Sequence, residues 1–346
     1  MSYTICQTDA LSAREAIVDL WRRNLPEALA DRYTWLYETG PATGFLLRSE
    51  PGLAVGAAGL MRREFHAFGE PLTAGQAIDL NVDREHRTIG PALALQRAVL
   101  KAVESRDIDL AYGFPNRQSE AVLRYAGYRA LGELQRWVKP LTCRVAFDRW
   151  GWPRWLARSL AILADPILRG IVTKNFYRRR RDIRVEQVDS FDARFDRLWQ
   201  SARGQWPILG ERTSAYLNWR FCRCPDLCYR ALCLTGPSGD LLAYVVHGRR
   251  GGTVHVADLL FADETYLDPL LTELMRLVRR EKAQTLVVLH LGNPAVGQAL
   301  TRFGFWQRPS GRKAMVYLGR DGEGDTSPFA NPQNWHLTGA DIDTDG

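Results

Sequence analysis

One stretch decides the fold: residues 79–93 read Asp-Leu-Asn-Val-Asp-Arg-Glu-His-Arg-Thr-Ile-Gly-Pro-Ala-Leu. The apolar segment that ends at Val82 is typical of a buried strand, and a helix pattern begins at Gly90. A basic loop, with Arg84 and Arg87, therefore meets a helix N-terminus. The backbone N–H groups there have no partner within the helix, and the helix dipole adds about half a positive charge. This order predicts a binding site for a pyrophosphate or a similar anion.

The surrounding sequence predicts an α/β unit around this stretch. Gly90 lets a phosphate approach the backbone, and Pro91 suits a first helical turn, where its missing N–H costs little. The periodicity predicts strands over 3–7, 45–48, 53–64, 76–82, 108–114 and 128–139, and helices over 12–23, 27–37, 90–105 and 119–126. This order indicates a mixed sheet with helices.

The chain also contains an internal repeat, in which four features recur in the same order at similar separations. They are Trp35 and Trp219, Pro41 and Pro225, Asp79 and Asp258, and the pair Asn116–Gly127 with Asn293–Gly304. We therefore predict two tandem α/β halves, residues 1–142 and 184–320, each a mixed, mostly antiparallel sheet flanked by helices. Residues 143–183 are expected to form a basic, Trp-rich helical connector. Residues 321–346 are expected to form a loop-rich extension, in which Trp335 gains from burial.

Two motifs in the first half resemble those of a known superfamily. The run Arg87-Thr88-Ile89-Gly90-Pro91-Ala92 looks like the R/Q-x-x-G-x-G/A signature of GNAT (GCN5-related) N-acetyltransferases. Asn116, Ala121 and Gly127-Tyr128 are similar to the later N-x4-A…G-F motif of that family. The resemblance covers most of residues 3–140 and, more weakly, 184–320. It implies a tandem two-half GNAT protein that uses acetyl-CoA or another acyl-CoA as co-substrate.

The resemblance also implies which residues bind the cofactor. They lie on the strand before the basic loop, on the loop and helix start, and after the next strand: Leu80, Val82, Arg87, Thr88, Ile89, Gly90, Pro91, Ala92 and Asn116. The second half has no glycine in the corresponding loop, and its Asp263, Glu264 and Asp268 would repel a pyrophosphate. We therefore expect the second half to keep the fold without binding the cofactor.

Asp79 is the first candidate for a catalytic residue, as the general base. It lies beside the predicted thioester site between apolar neighbours, and burial there would raise the pKa of a carboxylate. The recurrence of the carboxylate at Asp258, in a half that is expected to be inactive, favours the alternative that both are structural.

The general acid has no clear candidate. The family's usual tyrosine, four residues before the glycine of the last motif, is replaced by Leu123. Tyr125 lies one helical step away and would point elsewhere. Tyr112, on the preceding strand, is equally plausible, so the acid role stays open between these two.

Composition sets wider bounds. The formal net charge of +7 suits an anionic ligand, such as a nucleotide cofactor, RNA or a membrane surface. The first residues lack a signal-peptide pattern, and no stretch is typical of a transmembrane helix, so a cytoplasmic location is expected. The six cysteines do not have the paired spacing of a zinc site, and no metal is predicted.

Three functions compete. The first is transfer of an acyl group from acyl-CoA to a primary amine, such as an amino sugar or a cell-envelope precursor of polysaccharide biosynthesis. The second is a Fem-like transferase that uses aminoacyl-tRNA, the only case in which a nucleic acid partner is expected. The third is a non-catalytic acyl-CoA-binding module. The intact phosphate loop favours the first.

The connector raises a further question. Its basic run, residues 177–181, lies near Trp150, Trp152 and Trp155, a pattern compatible with peripheral contact to an anionic membrane. A solvated charge run beside a packed Trp face is the favoured alternative. The oligomeric state is not indicated by the sequence.

Overall fold

The computed structural model describes residues 2–25, 30–49, 52–142, 182–319 and 327–343. The N-terminal part contains, in order, β1 (Tyr3–Thr8), α1 (Arg14–Asn24), α2 (Ala30–Tyr33) continued by a π turn (Thr34–Glu38), β2 (Ala42–Ser49), β3 (Ala54–Ala67), β4 (Glu70–Val82), a 3-10 turn (Arg84–His86), α3 (Ile89–Glu104), β5 (Leu110–Gly113), α4 (Glu120–Ala126) and β6 (Arg129–Pro140). All ten elements predicted for this part are therefore present, with shifted ends.

The C-terminal part has the same order with one insertion, β8. It contains β7 (Arg184–Val188), α5 (Ala193–Ala202), β8 (Ile208–Gly210), α6 (Ser214–Leu217) continued by a π turn (Asn218–Cys222), β9 (Tyr229–Thr235), β10 (Leu241–Arg250), β11 (Thr253–Phe261), a 3-10 turn (Glu264–Tyr266), α7 (Leu267–Arg280), β12 (Thr285–Gly292), α8 (Pro294–Arg302) and β13 (Trp306–Tyr317). The C-terminal segment adds β14 (Trp335–Leu337), with short 3-10 turns before and after it.

The strands form one sheet whose order mirrors about its centre. The path runs β1-β2-β3-β4-β5-β13-β6-β12-β11-β10-β9-β7, with β8 and β14 off this path. At the centre, β13 pairs with β5, and β6 pairs with β12. Each part thus places its last strand in the sheet of the other part, and β6 and β13 also pair with each other. Neither part can complete its sheet without the other.

Trp35 and Trp219 meet at the boundary between the two parts. Their rings stack at 5.1 Å between centroids. The indole Nε1 of Trp35 donates to the carbonyl of Trp219 at 2.9 Å, and that of Trp219 donates to the carbonyl of Trp35 at 3.0 Å. The reciprocal contact satisfies both buried indoles and gives the two residues a packing role at this boundary.

The two faces of the N-terminal sheet carry separate cores. Leu46 of β2 packs in one core with Trp21 of α1, whereas the next residue, Leu47, packs in a second core with Leu95 of α3. Successive strand residues point to opposite faces, so α1 and α3 lie on opposite sides of the sheet. This arrangement positions the start of α3 beside the end of β4.

The β3–β4 hairpin is longer than predicted. Strand β4 begins at Glu70 rather than at residue 76, after a two-residue turn in which Phe68 and Gly69 have φ of 52° and 94°. Two successive positive φ values are typical of the turn that joins twisted antiparallel strands. Phenylalanine rarely adopts a positive φ, so the sequence does not predict a turn at Phe68.

Several expectations lie outside the described residues. These include the structure of residues 143–181, and with it nearly all of the predicted connector, and residues 320–326 of the extension. The burial of Trp335 is confirmed, since its exposed fraction is 0%. In the described ranges the five cysteines are free, no group of side chains is arranged as a metal site, and no helix is long and apolar enough to cross a membrane.

Candidate active site

The first turn of α3 presents an open helix N-terminus. The preceding residue, Thr88, is extended (φ −118°, ψ 171°), and its side chain makes no capping hydrogen bond. Thr88, Ile89 and Gly90 are exposed, whereas Pro91 is buried against the protein. The free N–H groups and the positive end of the helix dipole are therefore available to an anionic ligand.

Arg87 is fixed beside this N-terminus. Its Nε donates to the carbonyl of Val82 at 3.1 Å, and its Nη2 donates to Oδ1 of Asn24 at 2.8 Å. Asn24 is itself held, since its Nδ2 donates to Asp83 at 2.8 Å. The guanidinium charge is thus held between the end of α1 and the end of β4 before any ligand arrives.

A cavity of about 310 Å³ opens next to α3. Seven of the nine residues predicted to bind the cofactor line it: Leu80, Val82, Arg87, Thr88, Ile89, Ala92 and Asn116. The other lining residues are Asn24, Leu25, Asn81, Gln118, Ser119 and Val122. Gly90 and Pro91 complete the same helical turn but are not part of the lining. The structure therefore brings the predicted residues together, and their part in binding stays a prediction.

Strands β4 and β5 separate where the cavity lies. Their parallel pairing ends at Ala77 and Gly113, whereas β4 continues to Val82. Within this extension the pairing of β4 with β3 shifts by one residue at a bulge, and Asp79 has a φ of 54°. A bulge bends its strand and leaves ladder groups unpaired. The β5-facing edge of β4 is consequently open to a ligand.

Asp79 points away from the cavity into a buried polar cluster. Its Oδ1 accepts from Nη2 of Arg32 at 3.0 Å and its Oδ2 accepts from the hydroxyl of Tyr37 at 2.9 Å. The same Nη2 of Arg32 also donates to Asp343 at 2.9 Å. Burial alone would lower the pKa of Arg32, but the two carboxylates more than offset it and raise that pKa. Burial also raises the pKa of Tyr37. An ion-paired carboxylate of this kind fits the structural alternative for Asp79.

Neither candidate acid lies at the open edge of β4. Tyr125 is 64% exposed on the outside of α4. Tyr112 is buried, its hydroxyl lies 3.2 Å from the side-chain amide of Gln76 and 3.4 Å from the carbonyl of Asp341, and burial raises its pKa. Leu123, at the position of the family's tyrosine, is buried at the base of the gap, near Gly113.

Asn116 organises the loop after β5. Its Oδ1 accepts from the backbone N–H groups of Gln118 and Ser119, both at 2.9 Å. Asn293 makes the corresponding bond to Ala295 at 2.8 Å at the start of α8. Asn293 is thus the N-cap of α8, whereas Asn116 holds the turn before α4, whose own N-cap position is Ser119, and shapes the cavity wall through that turn.

Comparisons with known proteins agree with this geometry. No protein-family model and no curated protein sequence matches the chain. Solved structures match it at low identity. A probable N-acyltransferase of Enterococcus faecalis has 11% identity and a TM-score of 0.67 over 92% of this chain and 72% of its own. A GCN5-related N-acetyltransferase of Anabaena variabilis has 13% identity and a TM-score of 0.68 over 92% and 74%. The chain has the GNAT fold.

N-myristoyltransferase of Saccharomyces cerevisiae, solved with bound myristoyl-CoA, is similar as well. It has 10% identity and a TM-score of 0.56 over 91% of this chain and 82% of its own. These neighbours extend over nearly the whole chain, so the likeness is not limited to the N-terminal part. The resemblance predicted from the basic loop and the start of α3 is confirmed at the level of the fold.

In the C-terminal part of this GNAT fold, the gap between β11 and β12 corresponds to the cavity between β4 and β5. This second gap is filled by the chain itself. Strand β14 pairs with Leu291 and Gly292 at the end of β12. Nε2 of His336 lies 2.9 Å from the carbonyl of Leu259 on β11. A Cβ built on Gly292 would collide with the backbone of Trp335, which shows how closely the segment is fitted.

The same segment is locked by a second buried ion-pair cluster. Arg212 donates to Asp258 at 2.9 Å and to Asp341 at 2.6 Å, and all three side chains have no exposed surface. The hydroxyl of Thr338 donates to Asp258 at 2.7 Å. Asp258, the counterpart of Asp79, is thus engaged in holding the C-terminal segment.

The sequence did not point to several residues of this site. Arg32 and Asp343 are far apart in the chain, so only the fold brings them to Asp79. Asn24 belongs to no motif, and its position just after the first predicted helix is the only sequence signal that places it near the loop of Arg87. Asn81 lies within the decisive stretch, but its apolar neighbours carry the strand pattern there.

Proposed function

We propose that the protein is a cytoplasmic N-acyltransferase that transfers an acetyl or other acyl group from acyl-CoA to a primary amine. One observation carries the proposal: the uncapped N-terminus of α3 and the fixed Arg87 open into the cavity along the free edge of β4. The residues present suit acyl-CoA. Its pyrophosphate would bind at the N-terminus of α3, and its amide-bearing pantetheine arm would lie along the unpaired edge of β4. Acyl-CoA would supply the activated thioester.

The C-terminal part supports this assignment of the strand edge. There, β14 shows that the gap accepts an extended chain with amide groups. His336 contacts the carbonyl of Leu259, and Leu259 corresponds to Leu80 in the internal repeat. By this correspondence, the carbonyl of Leu80 would accept a hydrogen bond from the arm of the co-substrate.

We further propose that the chain is a tandem of two GNAT-like halves, of which only the first binds acyl-CoA. The recurring element order and the mirrored sheet support the tandem. The occupied gap between β11 and β12, together with the acidic Asp263, Glu264 and Asp268, supports the loss of binding in the second half. Titration of the native protein with acetyl-CoA by calorimetry tests the loss of binding in the second half. One equivalent per chain is expected, two would contradict that loss, and no binding would overturn the function.

The acceptor is proposed as an amino sugar or cell-envelope precursor on the sequence resemblance alone. A Fem-like use of aminoacyl-tRNA is the second candidate and would come first if acetyl-CoA did not bind. A non-catalytic acyl-CoA-binding module is the third, since neither Tyr125 nor Tyr112 lies at the open edge of β4.

Asp79→Asn is expected to separate a catalytic from a structural role. If Asp79 accepts the proton of the amine, turnover falls by about 100-fold or more while the affinity for acetyl-CoA changes little. The measurement is release of the coenzyme A thiol with a panel of primary amines, beside calorimetry of acetyl-CoA. Tyr37→Phe is the matched control, because it removes one hydrogen bond to Asp79 but keeps the carboxylate. Unchanged turnover in Asp79→Asn leaves only the structural role.

A second proposal concerns the connector, which we infer to contact anionic membranes. Residues 143–183 contain ten basic and three acidic residues, which accounts for the whole formal charge of +7. The remainder of the chain carries as many acidic as basic side chains. Together with Trp150, Trp152 and Trp155, this concentration of charge supports contact with an anionic surface, and a solvated charge run is the competing explanation.

Co-sedimentation with liposomes tests the membrane proposal. Binding is expected to rise with the fraction of anionic lipid and to fall as salt is added, because each basic residue near the surface contributes about 1 kcal/mol. Replacing Arg178, Arg179, Arg180 and Arg181 by glutamine should weaken it. The matched control replaces four exposed arginines elsewhere, Arg22, Arg124, Arg250 and Arg308, by glutamine. Equal binding to neutral and anionic liposomes would contradict the membrane proposal.

A further inference from the structure

Asn81 carries a buried polar atom that has no use in the fold. The residue is 6% exposed and lines the cavity. Its Nδ2 donates to the carbonyl of Asp79 at 2.7 Å, which fixes the orientation of the amide group. Its Oδ1 is shielded from solvent and has no hydrogen-bond partner among the described residues. The side chain therefore holds an acceptor ready for a donor.

The internal repeat shows that the fold does not require this polar group. Asn81 corresponds to Leu260 on β11, a leucine with no exposed surface. A buried acceptor without a partner is destabilising, whereas leucine at the same place is not. The first half thus keeps a polar atom next to its open cavity, and the second half, whose gap is filled by β14, has an apolar one.

The chemistry of an amide oxygen limits the ligand group that it can bind. Oδ1 only accepts hydrogen bonds, so neither phosphate oxygens nor a thioester carbonyl can pair with it. The pantetheine arm of acyl-CoA has amide N–H groups. Asn81 lies directly between Leu80 and Val82 at the open edge of β4, on the route from Arg87 to the bulge at Asp79.

We propose that Asn81 binds the pantetheine arm of acyl-CoA by accepting a hydrogen bond from an amide N–H through Oδ1. This inference rests on the proposed function. It assigns to the side chain of Asn81 a contact with the co-substrate that is separate from the phosphate contacts at α3. Since Nδ2 is already bound to Asp79, a ligand on Oδ1 also stabilises the bulge.

Two ligands distinguish this contact from the rest of the site. Acetyl-CoA contains the pantetheine arm, whereas its nucleotide half, 3′-phospho-ADP, does not. Calorimetry of both ligands is measured for the native protein, for Asn81→Leu and for Asn81→Ala. Asn81→Leu introduces the residue that the second half has at this position and is expected to fold. Asn81→Ala is the smaller variant, which shows whether a loss of affinity in Asn81→Leu comes from the bulk of leucine. Thermal unfolding of each variant is recorded in parallel.

The expected result is a loss of about tenfold in affinity for acetyl-CoA in both variants, with unchanged affinity for 3′-phospho-ADP. Equal affinities of variants and native protein for acetyl-CoA would overturn the inference and leave the proposed function standing. A parallel loss for both ligands would also overturn it, because the effect would then come from the shape of the phosphate site. If the native protein bound neither ligand, the proposed function itself would fail.

Discussion

Replacing Gly90 by glutamate is expected to abolish binding of acetyl-CoA while the protein stays folded. A Cβ built on Gly90 meets no heavy atom within 4 Å, so the substitution introduces no clash. A carboxylate in the first turn even favours the helix, because it faces the positive end of the dipole. The same carboxylate repels a pyrophosphate and occupies its place at the N–H groups. We expect a loss of at least about 100-fold, which corresponds to about 3 kcal/mol.

Calorimetric titration of acetyl-CoA measures this effect, and the native protein should bind one equivalent per chain. Gly204→Glu is the matched control, since Gly204 is also exposed and also has open space around its Cβ. It adds the same charge in the turn after α5, outside the cavity lining, and should bind like the native protein. Gly90→Ala should bind with intermediate affinity. If Gly90→Glu bound acetyl-CoA as tightly as the control, the phosphate site would have to lie elsewhere.

Local sequence patterns predicted the parts of the fold that depend on nearby residues. The helix over 90–105 and the strand that ends at Val82 appear at the predicted places because apolar periodicity and the glycine of the loop are local signals. The cavity residues Leu80, Val82 and Arg87 were predictable for the same reason. They lie within eight residues of one motif.

The rest depends on contacts between distant residues. No local pattern shows that β6 and β13 exchange places, because both are ordinary strands whose partners are chosen by the completed sheet. The filling of the second gap by β14 likewise requires residues more than 40 positions apart to meet. Asp79 was predicted beside the cavity, but its pairing with Arg32 and Asp343 could not be read from the sequence and changes how its role is judged.

The C-terminal segment connects the two aspartates of the internal repeat, Asp79 and Asp258. Asp341 contacts Arg212, which holds Asp258, while Asp343 contacts Arg32, which holds Asp79. Burial raises the pKa of Asp343, and Arg32 opposes this rise. A segment that closes the second gap therefore also supports the strand that borders the first cavity.

Asp341→Asn is expected to destabilise the protein by about 3–5 kcal/mol, the usual cost of removing one partner from a buried ion pair. Asp341 and Arg212 have no exposed side-chain surface, and Arg63, also buried, has Nη2 3.4 Å from the same carboxylate. Burial alone would raise the pKa of Asp341, but Arg212 holds it below its usual value. The amide cannot balance the two guanidinium charges, although Asp258 still pairs with Arg212.

The free energy of unfolding in urea, followed by tryptophan fluorescence, measures this loss. Asp268→Asn is the matched control, because it breaks an exposed ion pair. The side chain of Asp268 is 39% exposed and that of its partner Arg302 is 55% exposed. It should cost less than about 1 kcal/mol. Equal small losses in both variants would mean that the C-terminal segment does not depend on its buried charges. A large loss in Asp341→Asn alone, with weaker acetyl-CoA binding, would show that the lock in the second half supports the site in the first.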